Sequence, residues 1–431
     1  MGESQQDSPA LCPETGRWSG RLAVLVLWTH YFIWVGIVKS LAMMLPVLKD
    51  QFDSETWIIG WMIAIIQGMN GMTGPFSTSL RDKFGAAWVV TVCGAMIAAA
   101  VITGSFVRTA LQEGMVYMLL AGAGYGVSNV LTKDAVGRLF DKNYATAVGV
   151  ARTGYSVALF VFAPLVQLFL DTYGWRGTML LLGGITMHLV ACGALLRIAD
   201  KPTHREGYQT LNSSPETSSG RNNILMWCGR FLKSIVMKLN LGLLSKFSYW
   251  SVYVIYVTSK YAFDSWVIYF VSLSQSCGLS LEDAATIVTV AGVGNLLAKV
   301  GQGIVTDRGI LPYWVLLAVA TAVSAAAFCA TPWLTTYWTL MASALLILIA
   351  DGVVSCLSDV LTKQVFGVEL LASAYGWIGI QNTICRFTLG FIPGLIFDTT
   401  GSYSAAFVFI GCLQLISLSL LFALRYFQHV K

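Results

Sequence analysis

GVGNLLAKVGQGIVTDRG, from Gly292 to Gly309, is apolar along most of its length, yet it carries an amide and an ammonium, Asn295 and Lys299, one helical turn apart, and it ends in Thr-Asp-Arg-Gly. The chain around it has 431 residues, of which 56% are hydrophobic and only 11% charged, with a mean hydropathy of +0.68. An ordinary soluble protein has about one quarter charged residues. This composition places the chain in a membrane. Lipid gives the backbone no hydrogen-bond partners, so each crossing needs about 20 mostly apolar residues in a helix that satisfies its own backbone.

Twelve runs of that kind can be read: 22–46, 57–79, 86–106, 115–137, 144–170, 177–196, 243–272, 284–305, 311–330, 337–362, 372–396 and 404–424. One long polar stretch divides them, and it contains DKPTHREGYQTLNSSPETSSGRNN, rich in Ser, Thr, Gly and charge, which reads as a flexible linker. The expected fold is an all-α membrane protein of twelve transmembrane helices in two pseudo-symmetric six-helix bundles. Its parts are a tail at 1–21, a first bundle at 22–196, a linker at 197–242, a second bundle at 243–424 and a tail at 425–431.

Basic residues set the orientation. Arg17, Arg21, Arg81, Lys83, Arg138, Lys142, Arg197, Lys201, Arg308, Lys363 and Arg425 fall on one side with the linker and both tails, against Lys49, Arg108 and Arg176 on the other. The termini and linker are therefore expected in the cytoplasm, and the net charge of +5 reads as a topology signal, with no nucleic-acid partner indicated. No removable signal peptide is seen. The nine cysteines are scattered, mostly within spans and without Cys-x-x-Cys spacing, so neither a disulfide framework nor a metal site is expected. No cofactor and no Ser-His-Asp constellation is indicated. The Asn212 sequon falls on the cytoplasmic side, where it is idle. Trp18, Trp57, Trp88, Tyr117, Trp175, Tyr313 and Trp338 near span ends read as an interfacial aromatic belt.

The two halves repeat each other. STSLRDKFG (Ser77 to Gly85) follows the second run and GQGIVTDRG (Gly301 to Gly309) the eighth, each a helix end, then Asp, a base and Gly. APLVQLFLDTYGW (Ala163 to Trp175) faces IPGLIFDTTGSY (Ile392 to Tyr403), and 89 residues separate Asp82 from Asp171 where 91 separate Asp307 from Asp398. These loops, with Asp82 and Gly85 in one half and Asp307 and Arg308 in the other, resemble the loop signature of the major facilitator superfamily, in which the Asp faces a helix N-terminus and a neighbouring base, as the helix dipole favours.

Further stretches resemble the monocarboxylate transporter family of that superfamily: GPFSTSL (Gly74 to Leu80), YGWRGTMLLLGGITMHLVACGALLR (Tyr173 to Arg197) and FDTTGSYSAAFVFIGC (Phe397 to Cys412), the last being most similar to the atypical, creatine-transporter-like members. There are departures. The first-helix signature is reduced to ETGRWSGR (Glu14 to Arg21), and LFDKNYATAVGVARTGYS (Leu139 to Ser156) lacks two bases of the family run. Where proton-coupled members carry Asp and, four residues on, Arg, this chain has Asn295 and Lys299. The resemblance implies a secondary transporter and not an enzyme. It also implies a small organic acid or zwitterion as substrate, the lipid bilayer of the plasma membrane as setting, and a single-span immunoglobulin-like glycoprotein as the ancillary partner with which classical family members travel to the cell surface.

An ionisable group inside a span costs several kcal/mol unless it pairs or meets water, so each one marks a candidate site. Asn295 and Lys299 share a helix face, which should point into the bundle and offer a cation to an anionic substrate. By resemblance, Lys39 in VGIVKSLAMMLP engages substrate at the outer end of the cavity; its plain alternative is a snorkelling lysine. Asp351 begins a stripe with Ser355, Asp359 and Lys363. The pair Asp351-Gly352 resembles one in atypical members that carry zwitterionic solutes, so Asp351 is expected to hold a cationic part of the substrate or to neutralise Lys299. Asp359 and Lys363 read as an ordinary i,i+4 pair.

Asp134 and Arg138, with Lys133 before them and Arg152 in the next helix, are either a gate between the halves or a structural charge cluster. Arg386 needs a partner, with Asp351 and Asp264 as candidates, and Lys260 and Asp264 repeat the i,i+4 pattern. His30 reads as a hydrogen-bonded packing residue before a proton relay. Because an amide cannot titrate, proton coupling is in doubt at Asn295. The rival to a transporter is a transporter-derived sensor or scaffold, favoured by the eroded signatures and opposed by the intramembrane charges.

Overall fold

The computed structural model describes residues 13–52, 68–140, 142–199, 241–389, 392–400 and 402–427. Outside them lie 1–12, most of the second expected span with Trp57, nearly all of the 197–242 linker with the Asn212 sequon, and the last four residues.

Among the described residues all regular structure is helical. The first half comprises α1 (Pro13–Phe52), α2 (Phe76–Phe84), α3 (Ala86–Gly104), α4 (Ala110–Val116), α5 (Ala123–Leu139), α6 (Tyr144–Thr186) and α7 (His188–Ala199). A π-helical turn, Tyr117–Gly122, joins α4 to α5 into one crossing. The second half comprises α8 (Phe247–Ser276), α9 (Leu281–Asp307), α10 (Tyr313–Ala330), α11 (Tyr337–Leu389), α12 (Ile392–Thr400) and α13 (Ser404–Tyr426). Nine of the described helical stretches are long and apolar enough to cross a membrane.

Two helices carry two expected spans each. α6 turns at Gly174 (φ 65°, ψ −179°) and α11 at Gly367 (φ 69°, ψ 177°), a backbone conformation open in practice to glycine alone. Helix starts follow local chemistry: the Ser280 hydroxyl accepts from the Asp283 N–H at 3.0 Å at the head of α9, with Glu282 and Asp283 in the first turn. The sequence repeat is visible in the backbone, since Gly85 and Gly309 both adopt positive φ (82° and 70°) after their Asp-base pairs. Asp307 Oδ2 accepts the Thr146 backbone N–H at 2.6 Å, in the first turn of α6 in the opposite half. A carboxylate at a helix N-terminus meets unpaired N–H groups and the positive end of the dipole. Asp82 instead contacts Arg81, at 3.1 Å.

Three apolar clusters organise the packing. One lies within the first half, around Trp34, Tyr117, Tyr125 and Phe162, and one within the second, around Trp266, Phe270 and Phe328. The third spans both, joining Tyr31, Ala145 and Val148 to Val252, Leu357 and Leu361. The seam is tight where α6 meets α9: a Cβ on Gly149 would stand 2.1 Å from the Lys299 carbonyl oxygen, and one on Gly303 2.4 Å from the Thr146 Cα. These contacts lie between Lys299 and the end of the bundle that carries the basic residues, called the basic end below.

The aromatic belt needs correction at two positions. Trp18, Trp88 and Trp338 are exposed, but Tyr117 is fully buried against Gly104 with its hydroxyl 3.4 Å from the Met179 sulfur. Trp175 is buried too, and its indole donates to Gln51 Oε1 at 3.2 Å. Position near a span end does not distinguish an aromatic facing lipid from one turned into its own bundle.

Candidate functional site

In the last half of α9 the polar side chains of Asn295, Lys299 and Gln302 face α6 and α11. Asn295 and Lys299 are buried, at 4% and 6% exposure. Lys299 Nζ donates to Ser156 Oγ at 3.1 Å, and Ser156 Oγ donates to Asn295 Oδ1 at 3.5 Å, a long bond. Asn295 Nδ2 donates onward to Asp351 Oδ2 at 3.1 Å and to the Leu348 carbonyl at 2.7 Å. The polar chain thus runs Lys299, Ser156, Asn295, Asp351, from a cation through two neutral groups to an anion. It crosses from α6 of the first half to α9 and α11 of the second.

The face of Tyr155, next to Ser156, receives two ammonium groups, Lys299 Nζ at 6.0 Å and Lys260 Nζ at 5.8 Å from the ring centroid. Beneath it Tyr31 lies 4.6 Å away, centroid to centroid. His30 is fully buried, bonded through Nε2 to Ser128 Oγ at 2.6 Å and stacked on Tyr125. It packs within the first half.

A second polar layer lies toward the basic end. Asp359 follows Asp351 by eight residues, ~12 Å of helix rise. It is buried, and its Oδ2 accepts from Arg152 Nε at 2.9 Å and Nη2 at 2.6 Å. Lys133 Nζ sits 3.5 Å from Asp359 Oδ1, bonds the Tyr256 hydroxyl at 3.3 Å and lies 4.6 Å over the Tyr375 ring. Two cations of the first half therefore hold one carboxylate of the second. The i,i+4 pair read for Asp359 and Lys363 is not what forms: Lys363 donates to the Phe140 carbonyl and lies over Tyr144, both across the seam. A buried carboxylate takes the partners that are buried with it, and Lys363, one turn further along α11, reaches a half-buried backbone carbonyl.

The expected sites divide as follows. Asn295, Lys299 and Asp351 come together. Lys39 does not join them: it is exposed, nine residues (~13 Å of rise) beyond His30 on α1, with no hydrogen-bond or ion-pair partner among the described residues. Of the gate candidates, Arg152 bridges the halves. Asp134 and Arg138 pair with each other at 2.8 Å, and Asp134 pairs with Arg81 at 2.6 Å, all within the first half. Arg386 takes Asp264, at 2.5 Å, and not Asp351, which also separates Asp264 from Lys260. Three participants escaped the sequence reading, Ser156, Tyr155 and Lys133 as a partner of Asp359. The signal for Ser156 was its place four residues after Arg152, hence on the same face. Among the described residues no cluster of His, Cys, Asp and Glu suits a metal ion.

The comparisons with known proteins agree with this architecture. Residues 23–387 match the Major Facilitator Superfamily. Monocarboxylate transporter 12 of Mus musculus is 26% identical over 411 residues, covering 92% of this chain and 83% of the relative. Monocarboxylate transporter 11 of Mus musculus is 27% identical over 362 residues (84% and 70%) and monocarboxylate transporter 13 of Rattus norvegicus 25% over 421 (96% and 91%). Among solved structures, that of the proton:xylose symporter XylE bound to 6-bromo-6-deoxy-D-glucose superposes with a TM-score of 0.65 over 95% of this chain and 96% of its own, at 14% identity, a likeness of fold alone. A chain so matched along its length, with all regular structure helical among the described residues and a buried polar chain crossing the seam between its halves, belongs to the major facilitator superfamily as a multi-pass membrane transport protein whose relatives include its monocarboxylate transporters.

Proposed function

We propose that this protein moves small monocarboxylates or related zwitterionic organic solutes across the plasma membrane by alternating access, with both termini and the 197–242 linker in the cytoplasm. The observation that carries the reading is the chain Lys299, Ser156, Asn295, Asp351 across the seam of the two bundles. A carboxylate placed there replaces Ser156 as the acceptor for Lys299. Two ammonium groups, Lys299 and Lys260, against one carboxylate, Asp351, leave a single positive charge for the substrate to meet. That balance suits a monoanion, or a zwitterion whose cationic end reaches Asp351.

The ion pairs of Asp359 with Arg152 and Lys133, and the Asp307 cap on α6, hold the cytoplasmic end closed in this conformation. Opening toward the cytoplasm requires that they part. Lys39, exposed toward the outer end, serves to attract anions at the entrance, and Arg386 with Asp264 supports the outer arm of α8. Asn295 removes the titratable group from the α9 position, so transport proceeds as facilitated diffusion or exchange with little response to a proton gradient.

The test is uptake of labelled lactate, pyruvate, creatine, carnitine and aromatic amino acids into proteoliposomes, with and without an inward proton gradient. Saturable uptake of at least one, changed little by the gradient, is expected. Uptake driven strongly by protons would move the coupling role to Asp351. Saturable uptake of none, by folded protein, would favour a transporter-derived sensor.

A further inference from the structure

Lys260 differs from the other charges at the seam in that no acceptor holds it. It is half-buried on α8, and among the described residues its ammonium has neither a hydrogen bond nor an ion pair and rests over the Tyr155 ring, 5.8 Å from the centroid. The cause lies one turn further along the helix. Asp264 shares a face of α8 with Lys260 and would be its ordinary i,i+4 partner, but Asp264 Oδ2 is taken by Arg386 Nη2, from α11, at 2.5 Å. The other carboxylates of the seam are engaged too, Asp351 by Asn295 and Asp359 by Arg152 and Lys133. Arg386 thus leaves Lys260 uncompensated.

The charge left free stands beside Lys299. Tyr31 covers one face of the Tyr155 ring at 4.6 Å, and Lys299 Nζ lies 6.0 Å from the same centroid that Lys260 approaches. Of the two ammonium groups, Lys299 has a hydrogen-bond acceptor, Ser156 Oγ, and Lys260 has none among the described residues. An unpaired charge within a span is costly unless something meets it. A small anion against Tyr155 would do so.

We infer that Lys260 makes this site prefer a monocarboxylate anion to a zwitterion, and that Arg386 is a positioning residue that withholds Asp264 from Lys260. The inference rests on the solute site proposed at Lys299. A zwitterion carries a cationic group close to its carboxylate, so the attraction that Lys260 gives to one end is offset by repulsion of the other. A monoanion meets attraction alone. Neutralising Lys260, whether by substitution or by an ion pair with Asp264, removes the difference.

The experiment titrates the purified protein with lactate or pyruvate and, separately, with creatine or carnitine at constant ionic strength. The half-saturating concentration of each is read from the rise in melting temperature. Wild type is expected to respond to the monoanions at the lower concentrations. Lys260→Gln should raise the monoanion midpoints about tenfold, the effect of losing one nearby charge, and move the zwitterion midpoints little. Lys260→Arg should keep the wild-type preference. Arg386→Gln frees Asp264 to pair with Lys260 and should weaken the monoanions in the same way. Adding Asp264→Asn to Arg386→Gln should restore them, which the loss of a merely structural ion pair would not do.

A monoanion-to-zwitterion ratio unchanged in Lys260→Gln, a zwitterion preference in wild type, or an Arg386→Gln defect that Asp264→Asn does not reverse would overturn the inference. So would folded protein that none of the four compounds stabilises. Uptake into proteoliposomes separates this from the transport reading. Uptake with an unchanged ratio removes the role of Lys260 and leaves transport standing, whereas midpoints that move as expected without uptake keep that role and remove transport.

Discussion

Lys299→Ala is expected to abolish high-affinity uptake of every carboxylate that the wild-type protein accepts. A charge-assisted hydrogen bond in a buried site contributes about 1.5–3 kcal/mol, so the apparent affinity should fall by about 10- to 100-fold. Among the described residues the chain of donors from Lys299 through Ser156 to Asn295 has no other cation at its head. Lys260 approaches Tyr155 from α8 and does not replace the bond to Ser156. Concentration-dependent uptake in proteoliposomes, with size-exclusion profiles as the control for folding, checks this. Wild-type affinity in a folded Lys299→Ala protein would exclude the lysine from the site.

The opening stretch of the sequence already held most of this answer. An amide and an ammonium on one face of an apolar helix must turn inward, and α9 turns them to the seam. Likewise the matched loops ending in Gly85 and Gly309 announced two related bundles, and the same positive φ recurs in both. What the sequence left open was partner choice across helices. Helical periodicity relates residues of one helix to each other, so Asp359 was assigned to Lys363, its neighbour four residues on. Its actual partners, Arg152 and Lys133, stand more than two hundred residues away in sequence. Arg386 posed the same problem between two aspartates, and Asp264 was settled by the packing of α8 against α11. Tyr117 and Trp175 were misread for a related reason, because a span end has a face toward lipid and a face toward protein.

Asp359→Asn should have the larger structural effect. Removing one member of a buried ion pair costs about 3–5 kcal/mol because the charge left behind loses its compensation, and here two cations, Arg152 and Lys133, would be left. Both belong to the first half, so the strain is relieved when the halves part at the basic end. A cysteine placed at Val148, buried at the seam, is expected to react with a membrane-impermeant maleimide from that side about tenfold faster or more in the Asp359→Asn background, a shift of ~1.4 kcal/mol in the opening equilibrium being enough. Asp134→Asn is the contrast. Among the described residues Asp134 pairs with Arg81 and Arg138, both of its own half, so labelling at position 148 should stay at the wild-type rate. Equal labelling in all three proteins would mean that the Asp359 cluster does not hold the halves together.

The polar seam is proposed to bind solute and to open to each side in turn. Counterflow tests it most directly: proteoliposomes loaded with an unlabelled panel carboxylate are diluted into a trace of the same labelled compound, and the label inside is followed with time. A transient accumulation of label above its external concentration, absent from Lys299→Ala vesicles, is the expected result. Label that never exceeds the level of protein-free vesicles, for every panel compound and with folded protein, would contradict the account.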